Sequence, residues 1–364
     1  MDLCNIIKTQ RGRYTLKSDF RQVKRILVRG VNWVGDNILA YPTVQQLKHL
    51  FPQSHLAILI ADHLVDLWKT FPYIDEIIPF QAQEGLKSIW VDLKLGYLLK
   101  KKNFDLALIL PRSFRSTFQI YLARISIRIG YQGEGRSLFL THGIRRTKEV
   151  LHVHRVRYYQ RLIEPFGEII NCPSPRIFLR EEDRRWTEQI LSDFGILNGR
   201  LLIGMNPGAT YGLAKCWSPT RFGELGKRLS KKWKATVLLF GKEEEKSIAQ
   251  EIVQQIGEGG IDLTGKTRLL QLAALLERCH LLVSNDTGTM HMATAVGTPV
   301  VAIFGSTDPI TTGPWGDGHR IVRKDVSCSP CLKRICPVDH PCMNLVTVEE
   351  VEEAVNKKLG ELIQ

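Results

Sequence analysis

The sequence predicts an α/β protein of two Rossmann-like halves, and three features carry that expectation. Short apolar runs alternate with helix-like stretches, the alternation breaks at a segment holding two prolines and then restarts, and 364 residues suit two cores better than one. In the first half, Arg25–Val28 is an apolar run closing on Gly30, followed by a loop and a helical stretch from Asn37 to Leu50. His55–Ile60 is the next strand, Asp62–Thr70 a short helix, and Phe104–Leu110 a buried strand ending at Pro111. The break falls at Asn171–Pro175, where NCPSP precedes a charged helix, REEDRRWTEQILSDFG. The second half opens with a strand at Leu201–Met205, a helix at Pro219–Lys232 with Ser218 as its N-cap, and a strand at Ala235–Phe240. Glu243–Ile256 and Thr267–Cys279 read as helices, and strands His280–Ser284 and Pro299–Phe304 flank a helix near Thr289–Val296. Thr347 to Glu350 (TVEE) is a capping box opening a last helix to Leu359. The expected units are residues 1–175, with 1–22 an extension, residues 176–345, and a terminal helix over 346–364. In such sheets ligands bind beyond the C-terminal ends of the strands, so chemistry is sought in the loops there.

Composition excludes several classes. Apolar residues make up 44% and charged residues 24%, which is globular rather than disordered or fibrous. No apolar run approaches the ~18–20 residues of a membrane span. The first residues carry cations but neither the apolar stretch nor the cleavage site of a signal peptide, so a soluble cytoplasmic protein is expected. Eight cysteines over this length are no secreted disulfide framework. The net charge of +13 lies wholly in residues 1–185, which hold 30 Lys+Arg against 17 Asp+Glu; the remainder balances at 20 against 20. A basic face attracts phosphate-rich surfaces, nucleic acid or anionic lipid, and the plain alternative is a solvated face that aids solubility.

Several motifs sit in the loops where ligands are expected. Gly260–Thr267 (GIDLTGKT) fits the P-loop pattern, but a helix rather than a strand precedes it and strand-like residues lie inside it, so it reads as a coincidence. The first loop also lacks G-x-G-x-x-G, which removes most support for a dinucleotide fold. Asn206–Gly212 (NPGATYG), with the hydroxyl of Thr210 and then Lys215 before a helix, could bind a diphosphate or be a plain turn. Ser284–His291 (SNDTGTMH) would put Asp286, Thr287 and Gly288 at a helix start, either as an N-cap or as an anion site. Asp36, in NWVGD, could cap its helix or face the cleft as a proton acceptor. Cys328, Cys331, Cys336 and Cys342, beside His340, would suit tetrahedral zinc, yet the second pair is widely spaced and reduced packing thiols are expected instead. His152 and His154 read as ordinary surface or core histidines.

Taken together, RGVNWVGD, NPGATYG-x-x-K-x-W, SNDTGTMHMATAVGTPVVAIFGSTDP and the cysteine segment CSPCLKRICPVDHPCM resemble the ADP-heptose:lipopolysaccharide heptosyltransferases, glycosyltransferase family nine. The likeness runs from Arg25 to the last helix and is strongest to the branch that adds the second heptose of the inner core. It implies a GT-B architecture, with acceptor on the N-terminal half, donor on the C-terminal half, and a last helix packing back on the N-terminal half. It also implies Asp36 as catalytic base, Thr210 and Lys215 on the donor diphosphate, and Tyr211 among the donor-binding residues. Asp286, Thr287, Gly288 and His291 would surround the donor sugar and phosphates, and Glu245, ahead of its neighbours Glu243 and Glu244, would contact the ribose. Family members often have Asn where this chain has Arg112.

The basic half then fits a phosphorylated, Kdo-bearing lipid A acceptor that already carries one heptose, at the inner membrane surface. Arg112, Arg115, Arg128 and Arg136 are the candidates for its anionic groups, with at least one of them expected to be merely solvated. The expected chemistry is an inverting single displacement that requires no cofactor and no metal, with Lys215 stabilising the departing ADP. A sister enzyme adding the first or a later heptose would share these motifs. A zinc-containing nucleic-acid-binding protein would leave NPGATYG and SNDTGTMH unexplained, so no nucleic-acid partner is expected.

Overall fold

The computed structural model describes residues 20–81, 87–133, 135–167, 173–196 and 199–363; most of the expected 1–22 extension, and Asn171 and Cys172 of the break, lie outside them. The first half runs β1 (Arg25–Arg29), α1 (Val34–Leu50), β2 (His55–Ala61), α2 (Val65–Lys69), β3 (Glu76–Phe80), α3 (Lys87–Lys101), β4 (Leu106–Ile109) and α4 (Phe114–Leu122). It closes with β5 (Ile127–Tyr131), β6 (His142–Ile144), α5 (Lys148–Leu151) and α6 (Arg155–Gln160). The second half runs α7 (Glu181–Asp193), β7 (Leu202–Asn206), α8 (Pro219–Trp233), β8 (Thr236–Leu239), α9 (Lys246–Ile256), β9 (Gly260–Asp262) and α10 (Leu269–Arg278). It ends with β10 (Leu281–Asn285), α11 (Gly288–Ala295), β11 (Val300–Phe304), α12 (Pro309–Thr312), β12 (Arg320–Arg323), α13 (Pro341–Asn344) and α14 (Val348–Ile363). No described helix is long and apolar enough to cross a membrane.

Each half is one six-stranded parallel sheet, ordered β3-β2-β1-β4-β5-β6 and β12-β11-β10-β7-β8-β9. Relative to its own first strand each sheet has the order 3-2-1-4-5-6, so this is one Rossmann-type topology used twice. The central strands are buried on both faces and built on apolar runs, with Arg29 at the end of β1 and Ser284 and Asn285 at the end of β10 as buried polar exceptions, as expected when helices cover a parallel sheet. In each sheet the chain reverses direction between the first and fourth strands, which opens a crevice at their C-terminal ends. Asp36 follows β1, Lys215 follows β7 and Asp286 follows β10, so the two crevices supply the residues singled out from sequence.

The supposed P-loop holds strand β9 inside it, so that pattern is a coincidence of residues. The capping box is real: Thr347 N–H donates to Glu350 Oε2 at 3.0 Å, and Glu350 N–H returns to Thr347 Oγ1 at 3.3 Å. The last helix does not pack back on the N-terminal sheet. Its stripe of Val348, Val351, Val355 and Leu359 is buried in the second half, against α8, β10, β11 and β12. Arg228 of α8, paired with Glu349 and Glu352, and Trp233, bonded to Asn356, hold its other flank. One tie between the halves is the segment after the break. Ile177 N–H donates to Ala295 O of α11 at 3.0 Å, while Phe178 packs edge-on against Phe71 and Tyr73 of the first half.

Candidate functional site

The loop between β1 and α1 is held from below by a buried amide. Asn37 Nδ2 donates to Val31 O (3.0 Å) and Trp33 O (2.7 Å), and its Oδ1 accepts from Trp68 Nε1 (3.1 Å). This fixes Asp36 in the first turn of α1, half-buried, where Oδ1 accepts a 2.9 Å hydrogen bond from the Tyr159 hydroxyl. Tyr159 is buried on α6, and burial first, then the Asp36 charge, lifts its hydroxyl well above the usual phenol range. It therefore remains a donor and orients one carboxylate oxygen.

Across the crevice, Asn285 plays the same part as Asn37. Its buried amide donates to Pro207 O (2.7 Å) and accepts from Trp217 N–H (3.1 Å), locking the NPGATYG loop to the end of β10. Lys215 Nζ lies 2.6 Å from Asp286 Oδ2 and 4.9 Å from the Tyr211 ring centre. Thr307 Oγ1 also donates to Asp286 Oδ2 at 2.7 Å. Asp286 therefore orients the lysine instead of capping the helix. Thr287 occupies the N-cap of α11 without a side-chain cap bond, which leaves the first amides of that helix without a capping side chain. Glu245 packs on Gly208, where a Cβ would come within 1.8 Å of its Oε1, whereas Glu243 and Glu244 are exposed. Its charge, after burial, raises the Cys216 thiol to about 11. Thr210 stands exposed at the loop tip.

The two loops meet tip to tip. A Cβ on Gly35 would lie 2.7 Å from His291 Cδ2, and one on Gly288 would lie 3.1 Å from Val34 Cβ. Only glycines allow this approach of α1 to α11, and neither helix start has a side-chain cap. Two positive helix ends thus converge; the nearby carboxylates are engaged, Asp36 by Tyr159 and Asp286 by Lys215, so the uncapped amides remain able to meet an anion. His291 is buried beside them, and burial lowers it to about 4 despite the opposing pull of Asp286. Its Nδ1 has no hydrogen-bond partner among the described residues. His154 crosses the crevice, pairing with Gly313 O at 2.9 Å and packing on the Trp315 ring, and burial lowers it to about 4 as well. Tyr159 and His154 were not singled out from sequence as site residues, and no local pattern marks either of them.

The four arginines do not form one set. Arg128 sits at the start of β5, the sheet edge opposite Asp36, with its guanidinium on Phe139 O and Ile125 O, which removes it from the acceptor face. Arg115 forms a bidentate pair with Asp92 (2.7 and 3.0 Å), and Gln119 shares that carboxylate. Arg136 is buried and binds Tyr131 O and Pro111 O, tying the ends of β4 and β5. Arg112 is exposed at the end of β4. Its charge and those of Arg146, Arg155 and Arg136 oppose the rise that burial gives the Tyr158 hydroxyl, and Arg155 lies 5.0 Å from the Tyr158 ring centre, so the basic rim includes two arginines not singled out from sequence. Cys328, Cys331, Cys336 and Cys342 are unpaired by disulfides, and among the described residues no three His, Cys, Asp or Glu groups converge as metal ligands. His340 instead pairs with Ala214 O (3.0 Å), and Tyr211 donates to Leu332 O (2.9 Å). The cysteine segment is thus a buttress under the NPGATYG loop.

A family profile, glycosyltransferase family 9 (heptosyltransferase), matches residues 93–341. Lipooligosaccharide heptosyltransferase 2 of Haemophilus ducreyi is 31% identical over 310 residues, 82% of this chain and 88% of that protein. Among solved structures, the E. coli ADP-heptose LPS heptosyltransferase II aligns with a TM-score of 0.77 at 27% identity, covering 93% of this chain and all of that one. A glycosyltransferase family 9 protein of Veillonella parvula aligns with a TM-score of 0.82 at 25% identity, covering 93% and 97%.

Proposed function

The chain belongs to glycosyltransferase family 9, and from that premise we propose that it is a heptosyltransferase II, moving L-glycero-D-manno-heptose from ADP-heptose to the first heptose of the lipopolysaccharide inner core. One observation carries this reading: the Asp36–Tyr159 pair and the Lys215–Asp286 pair stand on opposite walls of one crevice, joined through Gly35 and His291.

The donor pyrophosphate lies between the facing starts of α1 and α11, with Lys215, Thr210, Thr287 and Gly288 around it and Tyr211 beneath the lysine. Glu245 takes the ribose. The acceptor 3-hydroxyl attacks the anomeric carbon while Asp36 removes its proton. The carbon–oxygen bond to the β-phosphate breaks on the opposite face, so configuration inverts and ADP leaves as an anion held by Lys215 and the helix amides. Neutral His291 lines the sugar without adding charge. Because fixed cations and amides meet the leaving group, turnover requires no metal ion. The acceptor approaches over the rim of Arg112, Arg146 and Arg155, and the enzyme works peripherally at the cytoplasmic face of the inner membrane.

The test is transfer from ADP-L-glycero-β-D-manno-heptose, in EDTA, to Kdo-lipid A with and without one heptose. Product on the heptose-bearing acceptor alone is expected. Product on the bare acceptor would reassign the enzyme to the first heptose, and inhibition by EDTA would overturn the metal-free step. Asp36→Ala is expected to abolish turnover while ADP still binds.

A further inference from the structure

Helix α3 is apolar on the side that faces water. Its inner face, Asp92, Leu95, Gly96 and Leu99, is buried against the sheet and α4. Its outer face carries Ile89, Leu93 and Tyr97 at steps of four, with Trp90 beside them, and these are 42–70% exposed. Lys94, Lys100 and Lys101 are exposed on the same face, and Lys101 Nζ lies 4.5 Å above the Tyr97 ring. The neighbouring α4, which packs on α3, adds exposed Phe114 and Tyr121. Beyond α4, the short turn Arg136–Phe139 adds Leu138 at 88% exposure. Rings of Phe114, Phe118 and Tyr121 close on Phe139, so the surface is continuous across α4 and that turn. The one carboxylate of α3, Asp92, points inward to Arg115 and Gln119. Neither α4 nor the turn contains an acidic residue.

A solvated helix face normally carries mixed charge; this one carries aromatic and aliphatic groups fringed by lysines alone. That combination matches the boundary of an anionic bilayer, where rings and aliphatic chains enter the acyl margin and lysines reach phosphates. Position agrees with chemistry. The starts of α3 and α4 follow the C-terminal ends of β3 and β4, so the patch begins at the sheet edge that bears Asp36, with Ile89, Trp90 and Phe114, and runs along both helices to the opposite edge, where Tyr121 and Phe139 meet Arg128. A saccharide rooted in a bilayer beneath this patch would rise past Arg112 toward the crevice.

We propose that the outer face of α3, with Phe114, Tyr121 and Leu138, docks on an anionic lipid bilayer and holds the crevice above it. The link to catalysis rests on the proposed transfer to a lipid-borne acceptor; the docking itself does not. The experiment uses the full chain with vesicles of phosphatidylcholine alone or with phosphatidylglycerol, and two variants: Trp90→Ser/Leu93→Ser/Tyr97→Ser and Lys94→Glu/Lys101→Glu. Flotation is expected to show binding to the phosphatidylglycerol vesicles that weakens with salt, and a blue shift of Trp fluorescence that the serine variant lacks. Removing three interfacial side chains should weaken vesicle binding by about 100-fold or more. Transfer to a heptose-bearing acceptor in vesicles should fall in both variants, and transfer to the de-acylated, water-soluble acceptor should not. Equal vesicle binding by parent and serine variant would overturn the proposal. So would a parent dimer that the serine variant converts to monomer, because a second copy would then cover the face. Absence of transfer to the soluble acceptor by the parent, with vesicle binding intact, would sink the acceptor assignment and leave the docking face standing.

Discussion

Gly35→Ala is the sharpest probe of the crevice. Gly35 lies in the first turn of α1, so by helix propensity alone alanine should stabilise the protein by up to about 1 kcal/mol. The structure argues the other way. The new Cβ would stand 2.7 Å from His291 Cδ2 and 3.4 Å from Gly288 Cα. Ordinary carbon contacts lie at about 3.5–4.0 Å, so the two helix starts must separate by about 1 Å. His291 is 5% exposed and cannot swing aside. The cost splits between overpacking, about 1–3 kcal/mol, and widening of the anion site. A displacement of about 1 Å between base and donor is worth about 100-fold in rate. Initial rates of heptose transfer, ADP titration calorimetry and thermal denaturation should be measured on the same preparation. The expected result is kcat reduced by about 100-fold, weaker ADP binding and no gain in Tm. A variant with parental kcat and a raised Tm would show that the two helix starts do not meet during catalysis.

Tyr159→Phe removes the donor on Asp36 Oδ1 and should lower kcat by about 10-fold or more, with KM and Tm little changed. A KM effect alone would make Tyr159 an acceptor-binding residue. Lys215→Met leaves Asp286 buried without its cation, so both stability (about 3–5 kcal/mol) and turnover should fall, and adding Asp286→Asn should restore Tm but not rate. His291 and His154 are both lowered from 6.5 to about 4 by burial. Such groups take up protons on unfolding, so their contribution is complete above pH 6.5 and is lost as pH falls toward about 4. Thermal denaturation across that window should show a slope that His291→Asn flattens. Leu359→Ala opens a cavity under α14 and should cost about 2–5 kcal/mol, read as a lower Tm with kcat near parental.

Much of the scaffold is readable because parallel strands covered on both faces need unbroken apolar runs, and RILV, HLAILI and FDLALIL are such runs. The loops after β7 and β10 are readable as connections between a strand and a helix, but their glycines and hydroxyls allow a plain turn or an N-cap as well as an anion site. Short, partly exposed strands such as β6 and β12 leave no such trace. The surroundings of α14 were not readable either. Its valine stripe requires a partner, but nothing in the stripe says which half supplies it. Arg115, Arg128 and Arg136 have the residue type of anion binders, yet a carboxylate and backbone carbonyls claim them, and that choice depends on distant chain. Tyr159 reaches Asp36 across 123 residues, a pairing that only the folded chain creates.

The strap at Ile177–Phe178 has a mechanical consequence. It is sewn to the far end of α11 at Ala295 and to the aromatic wall of the first half, so a rotation of one half about this strap would leave that point fixed. Gly288 lies only about 10 Å along α11 from that pin. A swing of about 10° therefore carries Gly288 through about 2 Å, while the outer lips of the two halves travel several times farther. The reacting groups sit where a nutcracker has its shortest lever: a small swing opens the lips wide, yet about 2 Å at Gly288 already exceeds the roughly 1 Å that misaligns base and donor, so chemistry would be confined to the closed arrangement.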